Sequence, residues 1–333
     1  MKKQKQKVRI LNVSHDLHNF VGDDIGILKE KYEVDTLTAS HLPILVLKFP
    51  VLLYKVARSD LVYLWFANPV SWLTLLFCKL FGKKSAMVSG GYDVVKMPEI
   101  DYGIHLHKYL RMFAVWSFKM VDEIILFSQS SKDDLKKNTG LDKGKVVFLA
   151  AHTDKFKPPK VKKQDAAVTV GTIRWSNLKR KGIETFVRAA KFAPDIEFWV
   201  IGTVIDDSID HLKRIATKNV HFFDFGYDEK KIVEKVQRAK VYVQVSGHEG
   251  FGVAMVEGML CECVPVVTAR GAIPEVVGDT GIYVPLGDAK KTGSATKQAL
   301  LMDGKKARQR ALQFSVEARK KKVLKIVGKL FTV

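Results

Sequence analysis

Apolar positions along the chain gather into short runs, separated by stretches of helical character. In the second half the runs are AVTVGTI at 167–173, IEFWVIG at 196–202, NVHFF at 219–223, KVYVQVS at 240–246, VPVVT at 264–268 and GIYVP at 281–285. Each is rich in β-branched or aromatic residues, as strands are. Helix-like segments such as GIETFVRAAKFA and EKKIVEKVQRAK lie between them. Alternation of strand and helix predicts a parallel sheet covered on both faces. The first half repeats the pattern with VRILNV, YEVDTLT, LVYLWFA, SAMVSG, EIILFS and KVVFLA.

The expected fold is therefore α/β: two Rossmann-like domains with mostly parallel sheets, facing each other across a cleft. A chain of 333 residues suits two domains of roughly 150 residues each. The segment PPKVKKQDA at 158–166, with two prolines and a charge run, marks the seam. The expected domains are 1–158 and 159–310, followed by a basic helix, 311–333, that packs back on the first domain. Open parallel sheets take ligands at the carboxyl ends of their strands. Leu61 to Cys78 carries no charge, yet Asn68-Pro69 interrupts it. Asn caps helices and Pro favours their first position, so a buried strand running into a helix is expected there, not a membrane span.

Charge changes the picture of partners. The net charge is +20. Residues 304–333 hold ten Lys/Arg against the single acid Glu317, and the first ten residues add five more basic ones. A solvated helix face and tail, or contact with an anionic membrane surface, are both open. The basic start runs into polar Ser14, His15 and Asp16 too soon for a signal peptide. A cytoplasmic protein is expected, either soluble or peripheral at the inner face of the cell membrane. Cys78, Cys261 and Cys263 are too few for a disulfide framework and are read as buried small residues. The nine histidines form only loose pairs, so no metal site is expected.

The densest chemistry lies in HEGFGVAMVEGMLCECVPVV at 248–267. Glu249 follows a strand, Gly250 and Gly252 leave the backbone bare, and a helix begins near Gly252. Such a turn offers backbone N–H groups at the positive end of a helix dipole, which suits phosphate. Glu257 sits within the apolar helix, and its spacing from Val253, Ala254, Leu260 and Cys261 places it on the buried side. A second segment, VGTIRWSNLKRKG at 170–182, places Arg174, Lys179, Arg180 and Lys181 after the first strand of the second half. Cations there can neutralise a diphosphate.

These segments resemble the E-x7-E motif of the retaining glycosyltransferases of glycosyltransferase family 4, which have the GT-B fold. The resemblance covers nearly the whole chain and is strongest from 167 to 285. It implies that Glu249 contacts the donor sugar and Glu257 the ribose hydroxyls. It also implies that the amides of Gly250, Phe251 and Gly252 lie near the phosphates and sugar. Lys181, before Gly182, matches the family's phosphate-binding lysine. The family's arginine has no residue in its usual place, because Thr172 follows Gly171; Arg174 is the substitute, with Lys179 and Arg180 as rivals. TARGAIPEVVGDTGIYV at 268–284 resembles a family turn that brings Gly271 near the donor sugar, and Tyr227 in FGYDEKK corresponds to a loop beside the base. In the first half, Gly22 stands where the family has a glycine-rich loop over the diphosphate, and VSGGYDVV lacks the family's histidine. Asp93 in that stretch is open to a polar or a turn role.

The resemblance implies transfer of a hexose, with retention, from a UDP- or GDP-sugar to an acceptor hydroxyl, with no cofactor or metal required. Apolar stretches with interspersed Lys/Arg, HLPILVLKFPVLLYKVAR and WLTLLFCKLFGKK, read as core helices ahead of membrane contact; together with the charge they make a lipid-linked or membrane-surface acceptor the leading expectation, with a glycan acceptor also open. A nucleotide-sugar epimerase of the same fold and a catalytically degenerate binding protein are the alternatives. No nucleic-acid-binding signature is found, and no G-x-G-x-x-G follows either first strand, which argues against a nicotinamide dehydrogenase.

Overall fold

The computed structural model describes residues 8–331, apart from 18, 40–43, 45, 46 and 227. The chain divides into two compact units: Met1–Ala150 with Glu317–Val333, and Ala151–Val316. The expected divisions lie at 158/159 and 310/311. Ala151 joins the second unit because its N–H donates to the Phe314 carbonyl at 2.9 Å and it bridges Ser315.

The first unit is built on strands β1 (Arg9–Ser14), β2 (Glu33–Thr38), β3 (Leu61–Trp65), β4 (Lys84–Ser89), β5 (Glu123–Leu126) and β6 (Lys145–Val146), in the order β2-β1-β3-β4-β5-β6. The second holds β7 (Gln164–Val170), β8 (Glu197–Ile201), β9 (Val220–Phe223), β10 (Ala239–Gln244), β11 (Val264–Val267) and β12 (Ile282–Tyr283), ordered β12-β11-β10-β7-β8-β9. All pairings are parallel. Helices cover both faces, which is why β3 is buried at every position and reads as a continuous apolar run.

The charge-free stretch folds as its punctuation predicts. The Asn68 side chain accepts from the N–H groups of Val70 and Ser71 at 2.9 and 3.0 Å and starts the helix Pro69–Leu80. Among the described residues no helix is long and apolar enough to cross a membrane.

The basic end of the chain differs in part from a solvated face. Within the helix Val316–Lys329, Arg319 is fully buried in the first unit. Its Nε and Nη2 donate to the two oxygens of Asp24 at 2.6 and 2.7 Å, and Nη1 donates to the carbonyls of Val147 and Phe148 at 3.0 and 2.9 Å. Tyr63 donates its hydroxyl to Asp24 at 2.6 Å. A buried charge is tolerable only when paired and hydrogen-bonded in this way. Lys320 on the same helix pairs with Glu30 at 2.6 Å.

Candidate functional site

In the second sheet the direction of growth reverses between β7 and β10. Counted from β7, the order is 3-2-1-4-5-6 read from one edge. At such a reversal the loops after the two central strands leave in opposite directions, and ligands bind between them. The loops after β7 and β10 carry Gly171, Arg174, Lys181, Glu249, Gly250, Phe251 and Gly252; Gly271 follows β11.

The loop after β10 holds Glu249, which is buried. Its Oε1 accepts three hydrogen bonds: from Lys181 Nζ at 2.6 Å, Gln244 Nε2 at 2.9 Å and Ser246 Oγ at 3.0 Å. Burial alone would raise the Glu249 carboxyl. The charge and hydrogen bond of Lys181, the charge of Arg180 and the Ser246 hydroxyl outweigh it and hold the group below the usual glutamate range. Gln244 and Ser246 are not singled out by the sequence motifs. Their signal is two polar residues, two apart on one face, ending an otherwise apolar strand.

Three backbone clips bring the lysine to the glutamate. Gly247 N–H donates to the Arg180 carbonyl at 2.7 Å, and the single Ser246 hydroxyl proton is shared between Glu249 Oε1 and the Lys181 carbonyl, 3.3 Å from Oγ. Gly182, at φ +72°, passes so close to the chain after β10 that a Cβ would lie 2.1 Å from the Val245 carbonyl oxygen. From the β11 side, Thr268 Oγ1 donates to the Ser246 carbonyl at 2.6 Å and Ala272 N–H to the Glu249 carbonyl at 2.8 Å. Gly271 has φ +56°, and a Cβ on it would lie 2.3 Å from the same Glu249 oxygen. Gly271→Ala is therefore expected to cost about 2 kcal/mol or more, from left-handed strain plus displacement of the Glu249 backbone. Urea unfolding checks this, with a wild-type midpoint as the contrary result.

The helix Val253–Leu260 starts at Gly252, whose φ is +89°. Its first N–H groups lack intrahelical acceptors and stand at the positive end of the dipole. Phe251 contributes only its backbone to the loop, since its ring is buried edge-on against Phe314 at 5.4 Å. Glu257 departs from the expected buried side. The buried face carries Met255, Val256, Met259 and Leu260, while Glu257 is half-buried beside Val253 and Ala254. Packing decides this: Gly258 meets the Tyr242 ring so closely that a Cβ would lie 2.3 Å from it, which fixes the helix rotation. Burial, with the Glu257 charge nearby, pushes the Tyr242 phenol well above its usual value.

Gly171 follows β7 and donates to the Ile201 carbonyl at 2.9 Å. Arg174 is exposed at the N-cap of the helix Trp175–Arg180, within reach of the charge of Asp206. Lys179 is exposed too, whereas Arg180 is half-buried and donates to Asn177 Oδ1 at 2.6 Å. Arg180, one of the rivals, is thus the second cation that the fold brings to bear on Glu249. Tyr227 lies outside the described residues.

In the first unit, Gly22 is not in a loop. It occupies the first turn of the helix Asn19–Lys29, where a Cβ would lie 2.8 Å from the Leu17 carbonyl oxygen. Asp93 is a buried turn staple: it accepts from Ala67 N–H at 3.0 Å, from Gly90 and Gly91 N–H at 3.3 and 3.2 Å, and from the Ser89 hydroxyl. Among the described residues no group of three His, Cys, Asp or Glu side chains could hold a metal, and all three cysteines are buried.

Residues 164–302 match the family model of the glycosyl transferases group 1. They contain both candidate loops. A curated relative from Arabidopsis thaliana, one of the subunits of phosphatidylinositol N-acetylglucosaminyltransferase, is 26% identical over 231 residues, which are 63% of this chain and 49% of the relative. The chain thus spans about half the length of that relative. Among solved structures, sucrose-phosphate synthase from Thermosynechococcus elongatus superposes with a TM-score of 0.78 at 17% identity, covering 98% of this chain and 99% of the other. HepE of Anabaena in complex with UDP gives 0.78 at 17% identity, over 97% and 100% of the two chains. The same protein in complex with UDP-glucose gives 0.76 at 15% identity, over 96% and 99%. The fold is that of the GT-B glycosyltransferases, two parallel six-stranded sheets with their helices.

Proposed function

We propose that the protein is a retaining glycosyltransferase that moves a hexose from a UDP-sugar to an acceptor hydroxyl. The observation that carries this reading is the Lys181–Glu249 pair, 2.6 Å apart on the two loops flanking the strand reversal, inside a segment that matches the group 1 glycosyl transferases. UDP is favoured over GDP by the HepE complexes with UDP and UDP-glucose.

In this scheme the leaving diphosphate collects negative charge as the anomeric bond breaks. Lys181 uses one of its three donors on Glu249 and keeps two for phosphate oxygens. Arg180 and the helix terminus after Gly252 add positive potential. The rate gain comes from charge held ready at the leaving group rather than from a protein nucleophile. Glu249 keeps Lys181 in place and contacts the sugar, and half-buried Glu257 is accessible to ribose hydroxyls. No resident metal or cofactor is called for, because these cations carry the phosphate charge. The Arabidopsis relative's name supports a lipid-linked acceptor.

Calorimetric titration of the wild type and of Lys181→Ala with UDP, GDP and NAD tests the donor site. UDP binding that weakens about tenfold or more in the variant is the expected result, as for loss of a charge-assisted contact to phosphate. Binding of NAD alone, or UDP binding indifferent to Lys181, would overturn it.

A further inference from the structure

Three helices of the first unit present an unusual outer surface. They are Phe49–Arg58, Pro69–Leu80 and Lys108–Met120. Each connects strands in the same direction across the sheet, and right-handed crossovers then place all three on one face, with the helix Gln129–Thr139 between β5 and β6 following them at the sheet's edge. They lie side by side: Phe49 meets Phe77 edge-on at 5.3 Å, and Trp72 contacts Phe113 and Trp116 at 5.0 and 5.9 Å.

Every one of them buries an apolar stripe inward and exposes a second one outward. The first buries Leu52 and Val56 yet exposes Val51 and Tyr54; the second buries Leu75 and Cys78 yet exposes Leu76 and Leu80; the third buries Ala114 and Phe118 yet exposes Tyr109, Met112 and Trp116. Leu80 is 70% and Tyr109 74% exposed. A core helix in water has no reason to carry the outer stripe.

Charge on these three helices has one sign; the acids Asp133 and Asp134 lie on the fourth, which also carries Lys132, Lys136 and Lys137. Segments 44–59, 69–84 and 104–121 contain no Asp or Glu. They carry Lys48, Lys55, Arg58, Lys79, Lys83, Lys84, Lys108, Arg111 and Lys119. Lys55 and Lys79 pair with Asp35 and Asp122 outside these segments. Among the described residues Lys83, Lys84, Lys108, Arg111 and Lys119 enter no ion pair. Exposed aromatic and aliphatic side chains with unpaired cations beside them, and no acid on the three helices that carry them, match the headgroup layer of an anionic bilayer.

We infer that this three-helix face is an interfacial docking surface for anionic lipid membrane. The rings and leucines enter the headgroup boundary while the lysines and arginines engage lipid phosphates. The face lies entirely within one unit and needs neither donor nor acceptor, so it goes beyond the transfer reading and can fail independently of it.

The test is sedimentation of the full chain with vesicles of phosphatidylcholine and phosphatidylglycerol in equal parts, and with pure phosphatidylcholine. Binding to the mixed vesicles only is expected, weakening as salt screens the charges. The double variant Leu80→Asp with Tyr109→Asp is expected to lose about tenfold or more in partitioning. Leu301→Asp, at a position even more exposed but in the second unit, should bind as the wild type does. Unchanged circular dichroism of the variants guards against misfolding. No binding at low salt, equal binding to the neutral vesicles, or equal loss in Leu301→Asp would overturn the inference. So would a concentration-dependent dimer that the Leu80/Tyr109 variant abolishes without altering vesicle binding.

Discussion

Lys181→Ala is expected to lower turnover with a UDP-sugar donor by a factor on the order of 100–1,000, the usual cost of removing one preorganised contact to developing charge. The same change strips Glu249 of its cation. Gln244 and Ser246 still hydrogen-bond to its Oε1. Breaking a buried pair costs about 3–5 kcal/mol. Lys181 is a quarter exposed, so water replaces part of the loss, and about 2–3 kcal/mol is expected here. The pH dependence separates this from a generic packing defect. In the wild type the Glu249 carboxyl is held below its ordinary value, so the pair's stabilisation is present above the unfolded glutamate pKa, about 4.3, and is lost as pH falls through the lower folded value. In the variant both Lys181 contributions are gone, while the Arg180 charge and the Ser246 hydroxyl remain, so the carboxyl sits higher than in the wild type and the variant has less of this stabilisation to lose on acidification. The gap between the two proteins should therefore narrow as pH falls from neutral toward 4. Urea midpoints across that range check it; a constant gap would mean that Lys181 does not act through Glu249. Lys181→Arg, which keeps the charge, should recover much of the stability.

Arg319→Ala is expected to be the most destabilising change in the first unit, about 3–5 kcal/mol. It leaves Asp24 fully buried with the Tyr63 hydroxyl but without a cation, and orphans the Val147 and Phe148 carbonyls. The double variant Asp24→Leu with Arg319→Met removes both charges and should recover most of that loss, because an apolar pair of similar volume carries no desolvation penalty. Chemical unfolding of the single and double variants checks both statements. A single variant within about 1 kcal/mol of wild type would show the pair to be dispensable.

How much of the fold and site is legible in the sequence follows from where the causes lie. The strand runs are legible because strands buried on both faces must be apolar at nearly every position, a local property. Asn68-Pro69 is informative for the same reason, since a cap acts on residues two and three away. The loops after β7 and β10 are recognisable because glycines with positive φ and close backbone approaches leave a residue-type signature. Lys181 stands next to such a glycine. The partners of Glu249 are not legible in the same way. Gln244 is five residues away and Lys181 sixty-eight, and their convergence on one carboxylate oxygen depends on β7 and β10 being neighbours.

The sequence by itself determined the element types, their order along the chain, the Asn68 cap, and the two glycine-bearing, charged loops that follow β7 and β10. These follow from hydrophobic periodicity and backbone sterics, which act over a few residues. Tertiary structure alone decided which second cation joins Lys181 in acting on Glu249, with Arg180 half-buried and Arg174 left in solvent. It also set the rotation of the helix after Gly252, and so the half-burial of Glu257. It placed Gly22 inside a helix, and it drew Arg319 from a run of surface-like charges into a buried pair with Asp24, 295 residues earlier in the chain. Each of these is a competition between desolvation and a distant partner, and such a competition has no outcome until the fold supplies the partner.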